Sequence, residues 1–303
     1  MKKLALFPAL ALLAVLGTDA QGQPAPAAPP VTTTTVGANL NITPKRVTFS
    51  PTQRTATVYI FNQGTAPATF DIALIDRVML PDGQIVAADD PRHKDTAKPI
   101  IDKLASAKGM VMVAPRRATL APGQGQTIRL RVGSVPADAK SEHRTHLTVT
   151  TIPPANVGTT AEDAAGLNPG ELRFQITSVF GLSIPAIVRT APPDVRAAVE
   201  NPRIEYAEAS PAGGSGASRT PVMAFDLVRV GASSLFGNVE VRPAGKRGDP
   251  IGLARGVGVY TEIDRRTMRV PLTRAPAPGE KLEVSFIDDD TSPGKLLATV
   301  QAP

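Results

Sequence analysis

The sequence predicts an all-β protein made of two immunoglobulin-like β-sandwich domains joined by a short Pro-rich hinge. Three observations lead there. Short runs of alternating apolar and polar residues recur along the chain, the period of strands with one buried face. Pro and Gly clusters separate these runs, with 30 Pro and 25 Gly among 303 residues, as turn-rich sandwiches require. Ala191-Pro192-Pro193-Asp194 then divides the alternating runs into two groups, with a stiff Pro-Pro step at the division.

The start of the chain does not belong to the predicted fold. Lys2 and Lys3 precede an apolar run from Leu4 to Leu16, and Thr18-Asp19-Ala20 ends in a small residue. That is the pattern of a secretory signal cleaved near Ala20, so residues 1–20 are read as a signal peptide. Residues 21–38 (QGQPAPAAPPVTTTTVGA) are a Pro/Ala/Thr-rich leader. The first domain is assigned to 39–190 and the second to 195–303. The expected location is the periplasm. No later apolar stretch reaches the length of a membrane span, and the absence of Cys excludes disulfides and thiolate zinc.

Taken in order, TATVYIFNQGTAPATFDIALIDRV reads as two strands around Asn62-Gln63-Gly64, with Val58 and Ile60, then Phe70, Ile72 and Leu74, facing inward. Leu80-Pro81-Asp82-Gly83-Gln84 is a tight turn with Gly at a positive-φ position. Residues 85–110 are less regular, with one or two helical turns expected after Pro99. In QTIRLRV, Ile128, Leu130 and Val132 point in and Arg129 and Arg131 point out. Residues 146–152 form the next strand, with Leu147 and Val149 inward. About seven strands precede residue 190, as an immunoglobulin-like sandwich needs. Beyond it, strands are expected at 222–230, 236–242, 257–263, 268–272 and 281–287, and 211–219 is a Gly/Ser-rich loop.

No set of residues outlines an enzyme site. His143 and His146, three apart on a strand, fall on opposite faces and are read as surface or rim residues rather than metal ligands. Asp288-Asp289-Asp290 runs into Thr291-Ser292-Pro293-Gly294 and reads as a polar turn. Ser215 lacks a nucleophile-elbow context, and Gly252, Gly256 and Gly258 do not make a dinucleotide loop. Neither cofactor nor metal is expected. The formal charge of +6 is mild, and without a basic–aromatic stacking motif nucleic acid is not an expected partner.

The longest alternating run, LRFQITSVFGLSIPAIVR from Leu172 to Arg189, exceeds an ordinary strand. Its first half, Leu172, Phe174, Ile176 and Phe180, follows a long polar loop, whereas its second half suits the domain's own core. Pro185, which has no N–H, is expected at an edge or where pairing ends.

Four segments in order carry a resemblance to a known family. They are PKRVTFSPTQRTATVYIFNQG, RRATLAPGQGQTIRL, VPADAKSEHRTHLTVTTIPP and the run ending at Arg189. Together they resemble the PapD-like periplasmic chaperones of the chaperone–usher pilus pathway. The Glu142–Leu147 wording is similar to the branch found in non-enteric bacteria, the archaic type. The resemblance implies a protein that caps incomplete immunoglobulin-like pilin subunits by donating a strand and passes them to an outer-membrane usher, with no cofactor. On that reading Leu172, Phe174, Ile176 and Phe180 fill the pilin groove. Burying four such side chains is worth on the order of 10 kcal/mol before ordering costs. Basic residues in the cleft would hold the pilin's C-terminal carboxylate. Arg46 matches the first of these by its place in RVTF. The family's second base, a Lys in the donor strand, has no counterpart in Gly181–Pro185, and Arg144 and Arg189 are the candidates to replace it. Self-association through the same strand edge is a further expectation. The competing reading is an exported two-domain adhesion or surface-structural module without pilin clients.

Overall fold

The computed structural model describes residues 39–93, 95–153, 179–208, 219–246 and 248–302. The predicted signal and leader, the 211–218 part of the Gly/Ser-rich loop, and Leu172, Phe174 and Ile176 lie outside the described residues. The strands run in order as β1 (Leu40–Thr43), β2 (Val47–Phe49), β3 (Thr55–Asn62), β4 (Ala68–Ile75), β5 (Arg77–Met79) and β6 (Ile85–Ala87). After a single helical turn α1 (Lys98–Ile101) come β7 (Val111–Ala114), β8 (Arg117–Leu120), β9 (Gly125–Val132), β10 (Glu142–Ile152) and β11 (Gly181–Arg189). Then follow β12 (Ala197–Glu208), β13 (Arg219–Arg229), β14 (Leu235–Pro243), β15 (Gly252–Val259), β16 (Arg265–Pro271), β17 (Leu282–Asp288) and β18 (Leu296–Ala302).

Up to Arg189 the strands form two sheets, β1-β3-β9-β7 and β2-β11-β10-β4-β8. The facing side chains are those the alternation predicts: Val58, Ile60, Phe70, Ile72, Ile128, Leu130, Leu147 and Val149 are buried in one core. After Pro193 a three-stranded sheet, β12-β13-β16, and a four-stranded sheet, β15-β14-β17-β18, enclose a second core around Phe225, Val239, Val270 and Phe286. Two strands of this half, β12 and β18, go beyond the five expected. Both have weak inward–outward alternation, which removes the periodic signal.

The irregular segment after β4 is a small β5–β6 hairpin with its own minor core of Val78, Val86 and Ala97. Its turn has Gly83 at φ 90°, as expected. The turn reaches the second sandwich: the Thr267 N–H donates to the Pro81 carbonyl, and a Cβ on Gly83 would sit 2.2 Å from the Arg266 Nε. Met79, from the same hairpin, is part of the second core.

β11 serves both cores. Ile184, Ala186 and Val188 pack into the first core, whereas Ile187 packs into the second. Alternation alone produces this split, since successive side chains leave opposite faces of a strand. The two sandwiches are therefore joined by Ile187 of β11, together with Met79 of β5. Ile187→Ala is expected to lower stability by about 2–5 kcal/mol, the range for truncating a fully buried Ile. Chemical denaturation monitored by circular dichroism measures it.

Candidate functional site

Along β10 and β11 the face turned away from the first core is polar. Register places Glu142 opposite Arg189, Arg144 opposite Ile187, and His146 opposite Pro185. One step further, Thr148 and Ser183 share a hydrogen bond at 2.9 Å. The second sandwich covers the Glu142–His146 end of this face. His146 is only 2 % exposed, so the surface reading of the histidines is corrected: His143 and His146 do lie on opposite faces, but both are buried. They look like surface residues in sequence because their polar neighbours are buried too.

Arg144 is the innermost charge. It is 1 % exposed, donates to Glu262 from the loop before β16, and lies 3.9 Å over the Tyr260 ring. Glu262 also accepts the Met79 N–H at 2.8 Å. Arg144, read in sequence as a candidate carboxylate anchor, is thus sealed from water and paired with Glu262. Arg144 Nη1 sits 3.2 and 3.3 Å from the two ring nitrogens of His146. Burial first, then the Arg144 and Arg77 charges, push the His146 pKa down to about 2.

Nearer the rim, Arg46 and Arg189 come together. Arg46 immediately precedes β2, and Arg189 ends β11; the two strands run parallel with Val188 beside Phe49. Both guanidinium groups donate to the same oxygen, Asp290 Oδ2, at 2.9 Å from Arg46 and 2.5 Å from Arg189. Arg189 Nε also donates to Glu142 at 3.1 Å. Burial would lower the Arg189 pKa, but Asp290 and then Glu142 outweigh it and raise it. Arg46 stacks 4.6 Å over Phe236. Its Nε and Nη1 are buried and have no partner among the described residues.

The Asp288–Asp290 run is a turn held by its own carboxylate. Asp288 accepts from the Ser292 N–H and the Thr291 hydroxyl, which leaves Asp290 free to face the two arginines. No group of His, Asp and Glu suited to hold a metal occurs among the described residues.

Phe180 stands just before β11 and is 46 % exposed. The Thr151 N–H donates to its carbonyl at 2.8 Å. Antiparallel alternation then turns the Leu182 and Ile184 backbone groups toward β10 and those of Gly181 and Ser183 outward. β2 pairs with β11 only from Ala186 to Val188. The outer edge from Gly181 to Pro185 therefore has no strand beside it among the described residues. Pro185 sits where this pairing ends, as its missing N–H requires.

Sequence reasoning missed Glu142, Asp290 and Glu262. Glu142 had a signal, since it continues the polar alternation of Arg144 and His146. Glu262 had none, because its partner is 118 residues away.

No known family profile matches the chain, and no curated protein sequence does. Solved structures similar to it include the E. coli chaperone DraB, at 14 % identity over 90 % of this chain and 99 % of that one, with a TM-score of 0.41. A second is the Salmonella enterica SafA pilin in complex with the SafB chaperone, at 15 % identity, 89 % and 98 % coverage and a TM-score of 0.41. A third is the CsuC–CsuE chaperone–tip adhesion subunit pre-assembly complex from archaic chaperone-usher Csu pili of Acinetobacter baumannii, at 13 % identity, 87 % and 98 % coverage and a TM-score of 0.39.

Two outcomes follow from the buried cluster. Arg144→Met should cost about 3–5 kcal/mol by leaving Glu262 buried without its partner, and adding Glu262→Leu should restore most of the loss; denaturation of both single variants and the double completes the cycle. His146 binds its proton far more weakly folded than unfolded. Its contribution is therefore complete above about pH 6.5 and is lost as pH falls from there toward 2, at up to about 1.4 kcal/mol per pH unit. His146→Gln should flatten the stability curve between pH 6 and 4.

Proposed function

We propose that this protein is a periplasmic chaperone that caps incomplete immunoglobulin-like pilin subunits by lending them a strand, and hands them to an outer-membrane usher. The observation that carries the reading is the open edge from Gly181 to Pro185, which ends at a pair of convergent arginines. An extended chain laid along that edge finds outward N–H and C=O groups at Gly181 and Ser183. A missing-strand sandwich needs this kind of partner: backbone bonds give affinity and alternate side chains give selectivity. Phe180 has the parity of Leu182 and Ile184, and in sequence Leu172, Phe174 and Ile176 share it. These four side chains fill the pilin groove in this reading.

The pilin's terminal carboxylate is anchored by Arg46 and Arg189. Arg46 brings a guanidinium that is 11 % exposed at the rim, and Arg189 brings one already oriented by Glu142. Asp290 occupies their shared donors, so the incoming carboxylate replaces or joins one that is already there. A fixed charge at the end of the edge sets the register of the added strand, because a one-residue slip would turn every side chain to the wrong face. No bound nucleotide or metal is required, since the affinity comes from apolar burial and backbone pairing. The similarity of Glu142–Leu147 to the archaic type supports a reading within that branch.

The test is capture of periplasmic partners by the tagged protein in its own bacterium, identified by mass spectrometry. Small β-rich subunits lacking a final strand are expected with the wild type. Phe174→Asp with Ile176→Asp should abolish their recovery while leaving the circular dichroism spectrum and denaturation midpoint unchanged. Full recovery with both changed, or the absence of such subunits from the wild-type capture, overturns the reading and favours a surface module without clients.

A further inference from the structure

A second open edge lies on the other sheet of the first sandwich. β1 pairs with β3 only from Tyr59 to Asn62, the last partners being Thr43 and Tyr59. The chain then leaves at Pro44 and joins the opposite sheet as β2. β3 continues for four more residues, Thr55–Val58, with β9 on one side and no strand on the other among the described residues. Its polar groups can be assigned by alternation. The Asn62 N–H donates to Gln124 and the Gln63 N–H to Asn39, so even-numbered residues bond toward β9 and odd-numbered ones toward the β1 side. Thr55 and Thr57 therefore turn their N–H and C=O groups into the gap.

The gap is a groove of about 770 Å³ whose lining includes Thr55, Thr57, Arg129 and Arg131. Register sets Arg129 beside Thr57 and Arg131 beside Thr55. Both arginines are exposed, and neither has an ion pair among the described residues. Arg46 at the far end is already paired with Asp290, so the groove's free positive charge is that of Arg129 and Arg131, and no acidic residue lines the groove. Two residues apart on one strand face, the arginines stand about 7 Å from one another. An extended peptide with acidic side chains at alternate positions has the same spacing.

We propose that this groove is a docking site for an extended acidic segment of a partner protein, added as a strand to the Thr55–Thr57 edge with its carboxylates on Arg129 and Arg131. Both the backbone and the charge favour this occupant. The chain's own leader does not fit, because residues 21–38 contain no Asp or Glu. The site is separate from the Gly181–Pro185 edge and does not depend on the chaperone reading.

The probe is the capped peptide acetyl-Thr-Glu-Val-Glu-Thr-Glu-amide, whose blocked terminus cannot enter the Arg46–Arg189 seat as a terminal carboxylate. Titrated into the ¹⁵N-labelled full-length mature protein, it should shift the Thr55 and Thr57 amide signals saturably and slow their hydrogen exchange. Arg129→Glu with Arg131→Glu changes two exposed positions; it should weaken binding about tenfold and make the same peptide with Lys for Glu the better ligand. Binding should persist when Phe174 and Ile176 are replaced by Asp. The proposal is overturned if those amides stay unprotected at saturation, if the charge reversal leaves the acidic peptide's affinity unchanged, or if Glu and Lys peptides bind the wild type equally. Any of these would leave the arginines as charges that only keep a bare strand edge from self-pairing.

Discussion

The Arg144–Glu262 pair is the interaction on which the site's geometry depends. It joins β10 of the first sandwich to the second sandwich through two side chains that are both essentially inaccessible to water. Removing two charges from water costs several kcal/mol each, and their attraction compensates only when the geometry is fixed and the other polar atoms are engaged. The surroundings meet this in part: the Met79 N–H bonds to Glu262 Oε1, the Tyr260 ring lies under the guanidinium, and neutral His146 stands beside it, whereas Arg144 Nε and Glu262 Oε2 are buried with no hydrogen-bond partner among the described residues. A protonated His146 would put a second cation against Arg144, which is one reason its pKa is depressed. Stability matters less here than uniqueness, because relative sliding of the sandwiches would strand both charges.

That constraint is transmitted outward in steps of two residues along one strand face. Arg144 fixes the inner end of β10, Glu142 follows on the same face, and Arg189 sits directly across from Glu142. Asp290 closes the series by bridging Arg189 to Arg46. The Arg46, Arg189, Glu142 and Asp290 charges balance, so the rim cluster is neutral as it stands. A neutral, internally paired cluster is tolerated at a half-buried site where two bare guanidinium groups would repel each other. It can also exchange one carboxylate for another with little change in local charge, which is what the proposed terminal anchor asks of it.

The parts of the fold legible in the sequence are those where a strand separates water from one core. β3, β4 and β9 each show apolar residues at every second position, and the structure buries the residues read as inward there, except that Leu74 is only half-buried. The β10 segment defeats that logic. Its polar residues are buried against the second sandwich and its alternate residues against the first core, so polarity no longer reports exposure. Arg46 and Arg189 were picked out in sequence only by resemblance, and their shared acceptor, Asp290, lies in a turn 244 residues after the first and 101 after the second. The burial of Arg144 was not legible for the same reason: nothing near it in sequence shows that Glu262 exists to meet it. The small β5–β6 hairpin escaped because its strands are three residues each, too short for a period to register.

Because β11 gives alternate residues to two different cores, its register is fixed more tightly than that of a strand with one solvent face. A shift by one residue would take Ile184, Ala186 and Val188 out of the first core and move Ile187 out of the second. It would also separate Arg189 from Glu142 and Asp290, adding an electrostatic penalty to the loss of burial. Slippage is the usual weakness of a strand with an open edge, and here it is opposed from both faces and from the charged end. In the proposed function this matters directly. A chain added along Gly181–Pro185 reads its register from β11, and β11 reads its own from Ile187 and the arginine pair. The strand can therefore present an unpaired edge to a partner without losing its place in its own sheet.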